Sequence, residues 1–154
     1  MTLAIKSSSF DEGGLIPAKY TGDGEDRSPP LSWSGVPEDA KELALVVDDP
    51  DAPGTVPFVH WLAYKIPAQS KSLADGASRS PPAGALQGTN SFGRSGYGGP
   101  APPPGSPHHY HFRLYALDHA LELRPGLDKK ALLAAMEGHV LSEAEMVGVY
   151  QRST

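Results

Sequence analysis

Apolar residues along this chain stand in short runs, and turn-forming glycine, proline, aspartate or serine residues close each run. Short apolar runs between turn signals are typical of β-strands, because a helix needs a longer amphipathic stretch. The clearest run is Glu-Leu-Ala-Leu-Val-Val at 42–47, which the turn-rich segment 48–54 ends. Together the runs predict strands over 31–36, 42–47, 56–66 and 108–117.

One helix is predicted in the C-terminal third, over Lys129–Glu137. Asp128 precedes it as an N-cap, because its carboxylate can accept from a free N–H of the first turn. Gly138 follows as the residue that ends the helix. The segment 140–150 could form a short helix or a final strand, and its β-branched end favours the strand.

Glycine and proline are frequent: the 154 residues include 17 glycines and 16 prolines. Both interrupt helix interiors, so this composition excludes a helical bundle. Many of them fall within 68–107, a predicted loop, and so long a segment without regular structure is often functional. We therefore expect a mostly β fold, a sandwich or barrel of largely antiparallel sheets with one or two short helices, as a single domain over 1–154.

The chain is mildly acidic, with a formal net charge of −5 and a sequence pI of about 5.6. Nonspecific nucleic-acid binding needs a basic surface, so we expect no nucleic-acid partner.

The absence of cysteine excludes disulfides and a thiolate nucleophile. No apolar run reaches the ~20 residues of a membrane-spanning helix. Residues 1–10 lack the features of a secretory signal, so we expect a cytoplasmic protein.

Polar residues occur where predicted strands end, among apolar neighbours of the same face. Side chains alternate between two faces along a strand, so His108 and Tyr110 share a face with the apolar residues that follow them. The adjacent His109 belongs to the solvent-facing side. By the same counting, Asp49 continues the apolar face of strand 42–47. His60 is predicted to lie on one face with Phe58, Leu62, Tyr64 and Ile66.

If these strands adjoin, four side chains converge at one end of a sheet: Asp49, His60, His108 and Tyr110. Two imidazoles and a phenol would suit a phosphate or carboxylate anion when an imidazole is protonated. Asp49 would orient one ring and hold its proton without touching the anion. Two other interpretations stay open. Each histidine could be a hydrogen-bonded core residue, and the aspartates of 48–51 could serve only to form a turn.

A metal site is the main alternative chemistry. His108, His109 and His111 offer nitrogen ligands that suit zinc. With His60 and the nearby aspartates they could support a metal-assisted hydrolase. Strand alternation opposes this, because His109 and His111 face away from His108 unless a bulge intervenes. The glycine-rich segment 93–99 has neither the spacing of a serine nucleophile elbow nor the ending of a phosphate loop. We expect neither a metal nor a cofactor.

Two segments resemble the signatures of the phosphatidylethanolamine-binding protein family, also called the Raf kinase inhibitor-like family. The first is Asp-Asp-Pro-Asp-Ala-Pro at 48–53, followed by His60-Trp61. The second is Gly-Tyr-Gly-Gly-Pro-Ala-Pro-Pro at 96–103, followed by the strand 108–117. Flanking segments, such as Ser-Pro-Pro-Leu-Ser-Trp at 28–33, are similar to the bacterial and archaeal subgroup. The resemblance covers almost the whole chain.

The resemblance implies a β-sandwich with a small anion pocket at one end. Carried over position by position, the pocket residues are those that strand alternation also selects: Asp49, His60, His108 and Tyr110. The resemblance adds four positions: Gly99 and Pro100 in the pocket wall, a buried Asp51 that holds its loop, and Trp61 as a supporting residue.

The resemblance also implies a function, a non-enzymatic protein that binds phosphate or carboxylate groups. Phospholipid headgroups and phosphorylated ligands are examples. A second hypothesis is a regulator of a protein partner, a kinase or a protease, that acts through the pocket rim and segment 68–107. That hypothesis rests on analogy. Prokaryotic members of the family often pair, so a homodimer is a further expectation.

Overall fold

The structure, a computed structural model, describes residues 2–152 and places eight β-strands and one α-helix there. The elements are β1 (Ala4–Lys6), β2 (Leu31–Ser34), β3 (Glu42–Asp49), β4 (Phe58–Pro67), β5 (Ser72–Leu73), β6 (Leu86–Gln87), β7 (His108–Leu117), α1 (Lys129–Met136) and β8 (Val140–Tyr150). Residues 1, 153 and 154, which the single-domain prediction includes, lie outside the described residues.

The strands form two antiparallel sheets. The smaller sheet has the order β1-β2-β5, and the larger has the order β6-β4-β3-β7-β8. The predicted mostly β fold with antiparallel sheets is confirmed, and 140–150 is a strand. The predicted loop 68–107 contains β5, β6 and a 3₁₀ turn at Ala77–Arg79. No helix within residues 2–152 is long and apolar enough to span a membrane.

The five-stranded sheet is covered on both faces. One face packs against the smaller sheet through Leu43, Leu45, Val47, Phe112, Leu114 and Ala116. On the other face, Leu132 and Met136 of α1 pack against four sheet residues: Ala44, Val46, Leu62 and Tyr64. β3, the central strand of this sheet, is therefore covered on both faces, which explains why every one of its residues is buried.

Asp128 caps α1 as predicted, because its Oδ1 accepts from Ala131 N at 2.8 Å. The helix ends at Met136, one residue before the predicted end, and Gly138 follows with a φ of +83°. A left-handed backbone at that position favours glycine, which turns the chain directly into β8.

The predicted face of β4 holds for Phe58 and His60 but is wrong beyond them, and two bulges are the reason. Val47 pairs with Trp61 while Asp48 pairs with Val59, so His60 is an extra residue with no partner in β3. Farther along, Lys65 has a φ of +54° where the register shifts again. Each extra residue reverses the alternation of side chains. The predicted single face is therefore divided: Leu62 and Tyr64 lie beneath α1, and Ile66 lies between the sheets.

Candidate functional site

A cavity of about 140 Å³ opens at one end of the five-stranded sheet. All four polar side chains selected by strand alternation line it: Asp49, His60, His108 and Tyr110. The remaining lining is apolar and consists of Ala52, Pro53, Phe58, Phe92, Ala101, Pro102 and Pro103. The cavity is thus polar at one end and aromatic or proline-lined elsewhere.

Antiparallel pairing explains why these residues meet. β3 runs opposite to both of its neighbours, so its last residue lies beside the first residues of β4 and β7. Asp49 ends β3, and His108 begins β7. The bulge at His60 turns its ring towards Tyr110, with the two ring centroids 5.1 Å apart. Because of the bulge, His60 and the next residue, Trp61, both lie on the inner side of the sheet.

The Asp49 carboxylate orients His108. Asp49 Oδ2 lies 2.6 Å from His108 Nδ1, and both side chains are buried. Its other oxygen, Oδ1, accepts from Asp51 N at 2.8 Å. Both carboxylate oxygens therefore have hydrogen-bond partners, and Asp49 holds the ring and its own loop at the edge of the cavity.

His60 is enclosed by aromatic rings. Its side chain is held by Gly98, whose carbonyl oxygen lies 2.6 Å from Nδ1. Phe58 and Phe92 pack on it with centroids at 5.1 Å and 5.6 Å. Burial lowers the pKa of His60, and the Gly98 carbonyl and Asp49 oppose that effect only in part. His60 is therefore neutral at neutral pH.

Tyr110 supplies a hydroxyl donor. Burial raises its pKa, and the negative charge of Asp49 raises it further. The phenol therefore keeps its proton throughout the range in which histidines titrate. A protonated phenol can donate to an oxygen anion inside the cavity.

The cavity wall is formed by residues directly after the predicted ones. Gly99 and Pro100 are buried, but Ala101, Pro102 and Pro103 line the cavity. Gly99 N donates to Asp26 Oδ1 at 2.7 Å, and Pro100 O accepts from Gly22 N at 2.8 Å. A Cβ at Gly99 would come within 2.5 Å of Tyr20 O. Gly99 and Pro100 therefore fasten the wall segment to its neighbours.

Asp51 is exposed, which corrects the prediction that it is buried. It follows the last residue of β3 by two positions, so it lies in the surface turn and not in the sheet. Asp51 Oδ2 accepts from His109 N at 2.8 Å and lies 2.7 Å from His109 Nδ1. The hydrogen bond from His109 lowers the pKa of Asp51. Asp51 therefore ties its turn to β7 from the surface.

Trp61 is a core residue. It is buried, and its Nε1 donates to Gln87 Oε1 at 2.8 Å. Tyr97 packs edge-on against its ring.

Sequence reasoning missed Phe58 and Phe92 as cavity residues. Phe58 is two positions before His60 in the same strand, so strand alternation could have predicted it as a cavity residue. Phe92 lies in a loop, where no periodic pattern indicates which side chains face the cavity.

The histidines of the metal hypothesis are separated. His109 pairs with exposed Asp51, and His111 lies on the same side, 3.2 Å from Glu145 Oε2. His108 points the other way, into the cavity. Across residues 2–152, no three histidine or acidic side chains stand close enough to hold a metal ion together.

Comparisons with known proteins agree with this fold. Residues 6–151 match the family model for phosphatidylethanolamine-binding protein. A UPF0098 protein of Methanothermobacter thermautotrophicus is 52% identical over 151 residues, covering 96% of this chain and 98% of that protein. A solved phosphatidylethanolamine-binding protein homologue of Chlamydia trachomatis has a TM-score of 0.90 at 41% identity, covering 98% of both chains. E. coli YbcL, described as a member of the mammalian family, has a TM-score of 0.93 at 33% identity over 99% of both chains.

Proposed function

Because the chain belongs to the phosphatidylethanolamine-binding protein family, as its two signatures predict, we propose that it binds small anions in this cavity. The ligand carries a phosphate or carboxylate group, as a phospholipid headgroup or a phosphorylated compound does. The observation that carries the proposal is the convergence of two imidazoles and a phenol on one cavity of about 140 Å³.

The polar end of the cavity supports this function through its donors. Tyr110 offers an O–H, and His108 offers Nε2–H once the ring is protonated. Asp49 then forms an ion pair with the imidazolium through Nδ1, at 2.6 Å. The positive charge that meets the anion is therefore balanced within the protein. The apolar side chains of Phe58 and Phe92 make the surroundings less polar, which strengthens each of these hydrogen bonds.

Calorimetric titration with inorganic phosphate tests the proposal. We expect His108→Ala or His60→Ala to weaken binding by about 1–3 kcal/mol, the range for a lost charge-assisted hydrogen bond. His119→Ala is the matched control, because His119 is an exposed histidine outside the cavity. An affinity that stays the same in both cavity variants would contradict the proposal.

Regulation of a protein partner is a second candidate function. Phe92 is 39% exposed at the cavity rim, and the Arg94 guanidinium lies 5.2 Å from its ring centroid. An exposed aromatic residue beside arginine is a common anchor in protein interfaces. Phe92→Ala would then remove specific kinases or proteases from the proteins captured by the immobilised chain. Leu133→Ala, at another exposed apolar residue, is the control, and identical captured proteins for Phe92→Ala and wild type would contradict this role.

A further inference from the structure

The orientation of both cavity imidazoles is fixed through Nδ1. His60 Nδ1 lies 2.6 Å from the Gly98 carbonyl oxygen, and His108 Nδ1 lies 2.6 Å from Asp49 Oδ2. A carbonyl and an ionised carboxylate only accept hydrogen bonds, so each Nδ1 carries a hydrogen. A neutral imidazole has a single N–H. In the neutral form of each ring, Nε2 is therefore a lone-pair acceptor.

Both Nε2 atoms are available to a ligand. Neither forms a hydrogen bond with another group of residues 2–152, and neither is sealed off from the cavity. An acceptor that faces an anion is unfavourable, because two lone pairs then oppose each other. Each ring must therefore either gain a proton or receive a hydrogen from the ligand.

The two rings differ in the partner that an added proton would face. At His108, the proton would complete an ion pair with Asp49. At His60, it would face an uncharged carbonyl and the rings of Phe58 and Phe92. Burial accordingly lowers the pKa of His60. We therefore place the added proton on His108, and His60 Nε2 stays an acceptor.

The charged groups around the two rings agree with this assignment. The charges that act on His60 are all carboxylates, those of Asp49, Asp48 and Asp26, and together they do not cancel the effect of burial. Tyr110 faces His60 from β7 as a protonated phenol. The titratable neighbours on the His108 side are Asp49, Asp51, His109, Tyr110, Tyr150 and Arg152.

We propose that the cavity selects phosphate monoesters, which bring an acidic O–H of their own, over phosphate diesters and carboxylates of the same charge. This proposal rests on the anion-binding function and names its ligand class. A monoester monoanion accepts from Tyr110 O–H and from His108 Nε2–H, while its own O–H donates to His60 Nε2. A diester or carboxylate has no such hydrogen, so it leaves the His60 acceptor unpaired.

The test compares methyl phosphate with dimethyl phosphate by calorimetry at about pH 5, where both carry one negative charge because the second phosphate pKa is about 6. We expect methyl phosphate to bind about tenfold more tightly, the effect of one unpaired buried acceptor. The ratio of the two affinities should fall as the pH rises above about 6, when methyl phosphate loses its O–H.

Two outcomes overturn the proposal. Equal affinities at about pH 5 would remove the role of the ligand hydrogen. A ratio that rises with pH would mean that the site responds only to ligand charge, since the dianion would then bind best. If methyl phosphate, dimethyl phosphate and inorganic phosphate all fail to bind, the anion-binding function itself fails. That result is therefore distinguishable from a failure of monoester selection.

A second measurement does not depend on any ligand. A long-range ¹H–¹⁵N spectrum of the free protein separates protonated from unprotonated ring nitrogens. We expect His60 to show hydrogen on Nδ1 only, and a hydrogen on Nε2 would overturn the proposal. His60→Gln should also lose the monoester preference, because an amide can donate or accept. His119→Gln should retain it.

A monoester group occurs in lipids and in soluble metabolites, and one more titration distinguishes these sources. Short-chain phosphatidic acid is a lipid monoester that can be compared directly with methyl phosphate. A much higher affinity for the lipid would identify acyl chains as part of the ligand. Equal affinities would identify a soluble monoester, and either result retains the selection by the O–H.

Discussion

Asp48 and Asp49 are neighbours at the end of β3, and both are almost completely buried, but their carboxylates serve opposite faces of the same sheet. On the α1 side, Asp48 accepts from Arg113 Nη1 at 2.9 Å and from Lys129 Nζ at 2.6 Å. On the cavity side, Asp49 is paired with a backbone N–H and the His108 imidazole.

The partners of each carboxylate determine its role. Arginine and lysine remain charged across the range in which histidine titrates, so the Asp48 cluster is a permanent ionic link. Because Lys129 is the first residue of α1, this link ties the helix to the sheet. Asp49 instead holds a ring that can gain a proton and whose second nitrogen opens into a cavity. A buried carboxylate alone does not indicate a binding site, whereas one with a titratable partner beside a cavity does.

Removal of the Asp48 carboxylate should have the largest effect, and that effect is on stability. Asp48→Ala leaves two cations facing a buried site, so we expect a loss of about 3 kcal/mol in the free energy of unfolding. Urea denaturation measures the loss. Asp128→Ala, which removes the N-cap of the same helix, is the control with an expected loss of about 1 kcal/mol. If Asp48→Ala costs no more than this control, Asp48 does not have the structural role assigned to it.

The change at Asp49 should act mainly on ligand binding. Asp49→Asn keeps the shape of the side chain but removes the charge opposite the His108 imidazolium. We expect the affinity for inorganic phosphate to fall by about 2 kcal/mol, as for a lost charge-assisted hydrogen bond. Calorimetry measures this value, and Asp48→Asn serves as the matched variant on the other face. Similar losses of affinity in both variants would erase the distinction between the two faces.

The sequence was sufficient to predict much of this arrangement, and the exceptions have physical causes. The alternation in β7 is regular, so it correctly placed His108 and Tyr110 on the inner face. β4 has the same kind of pattern, but its bulges arise from pairing with β3, which no local signal reveals. The Asp48–Lys129 contact joins residues far apart in sequence, and only the folded chain brings them together.

For a similar reason, the wall of the cavity is formed by the residues directly after those that were predicted. Family resemblance identified the segment that includes Gly99 and Pro100, but the side chains that reach the cavity depend on how the loop is fastened. Hydrogen bonds to Asp26 and Gly22 determine this, and both partners lie in another loop. Contacts between two irregular segments have no periodicity, so sequence patterns cannot predict them.

The smallest expected effect concerns pH, and it belongs to the cavity face. Burial lowers the pKa of His60 below its unfolded value of 6.5, so the unfolded chain binds the proton more readily than the folded chain does. The stability linked to His60 is therefore complete above about pH 6.5 and is lost as the pH falls below it. We therefore expect the free energy of unfolding to fall between pH 7 and pH 5.5. His60→Phe should remove that part of the pH dependence, whereas Lys129→Met, on the opposite face, should lower stability by a similar amount at both pH values. Urea denaturation at the two pH values measures this difference. An unchanged pH dependence in His60→Phe would mean that the cavity face is no more sensitive to protons than the face beneath α1.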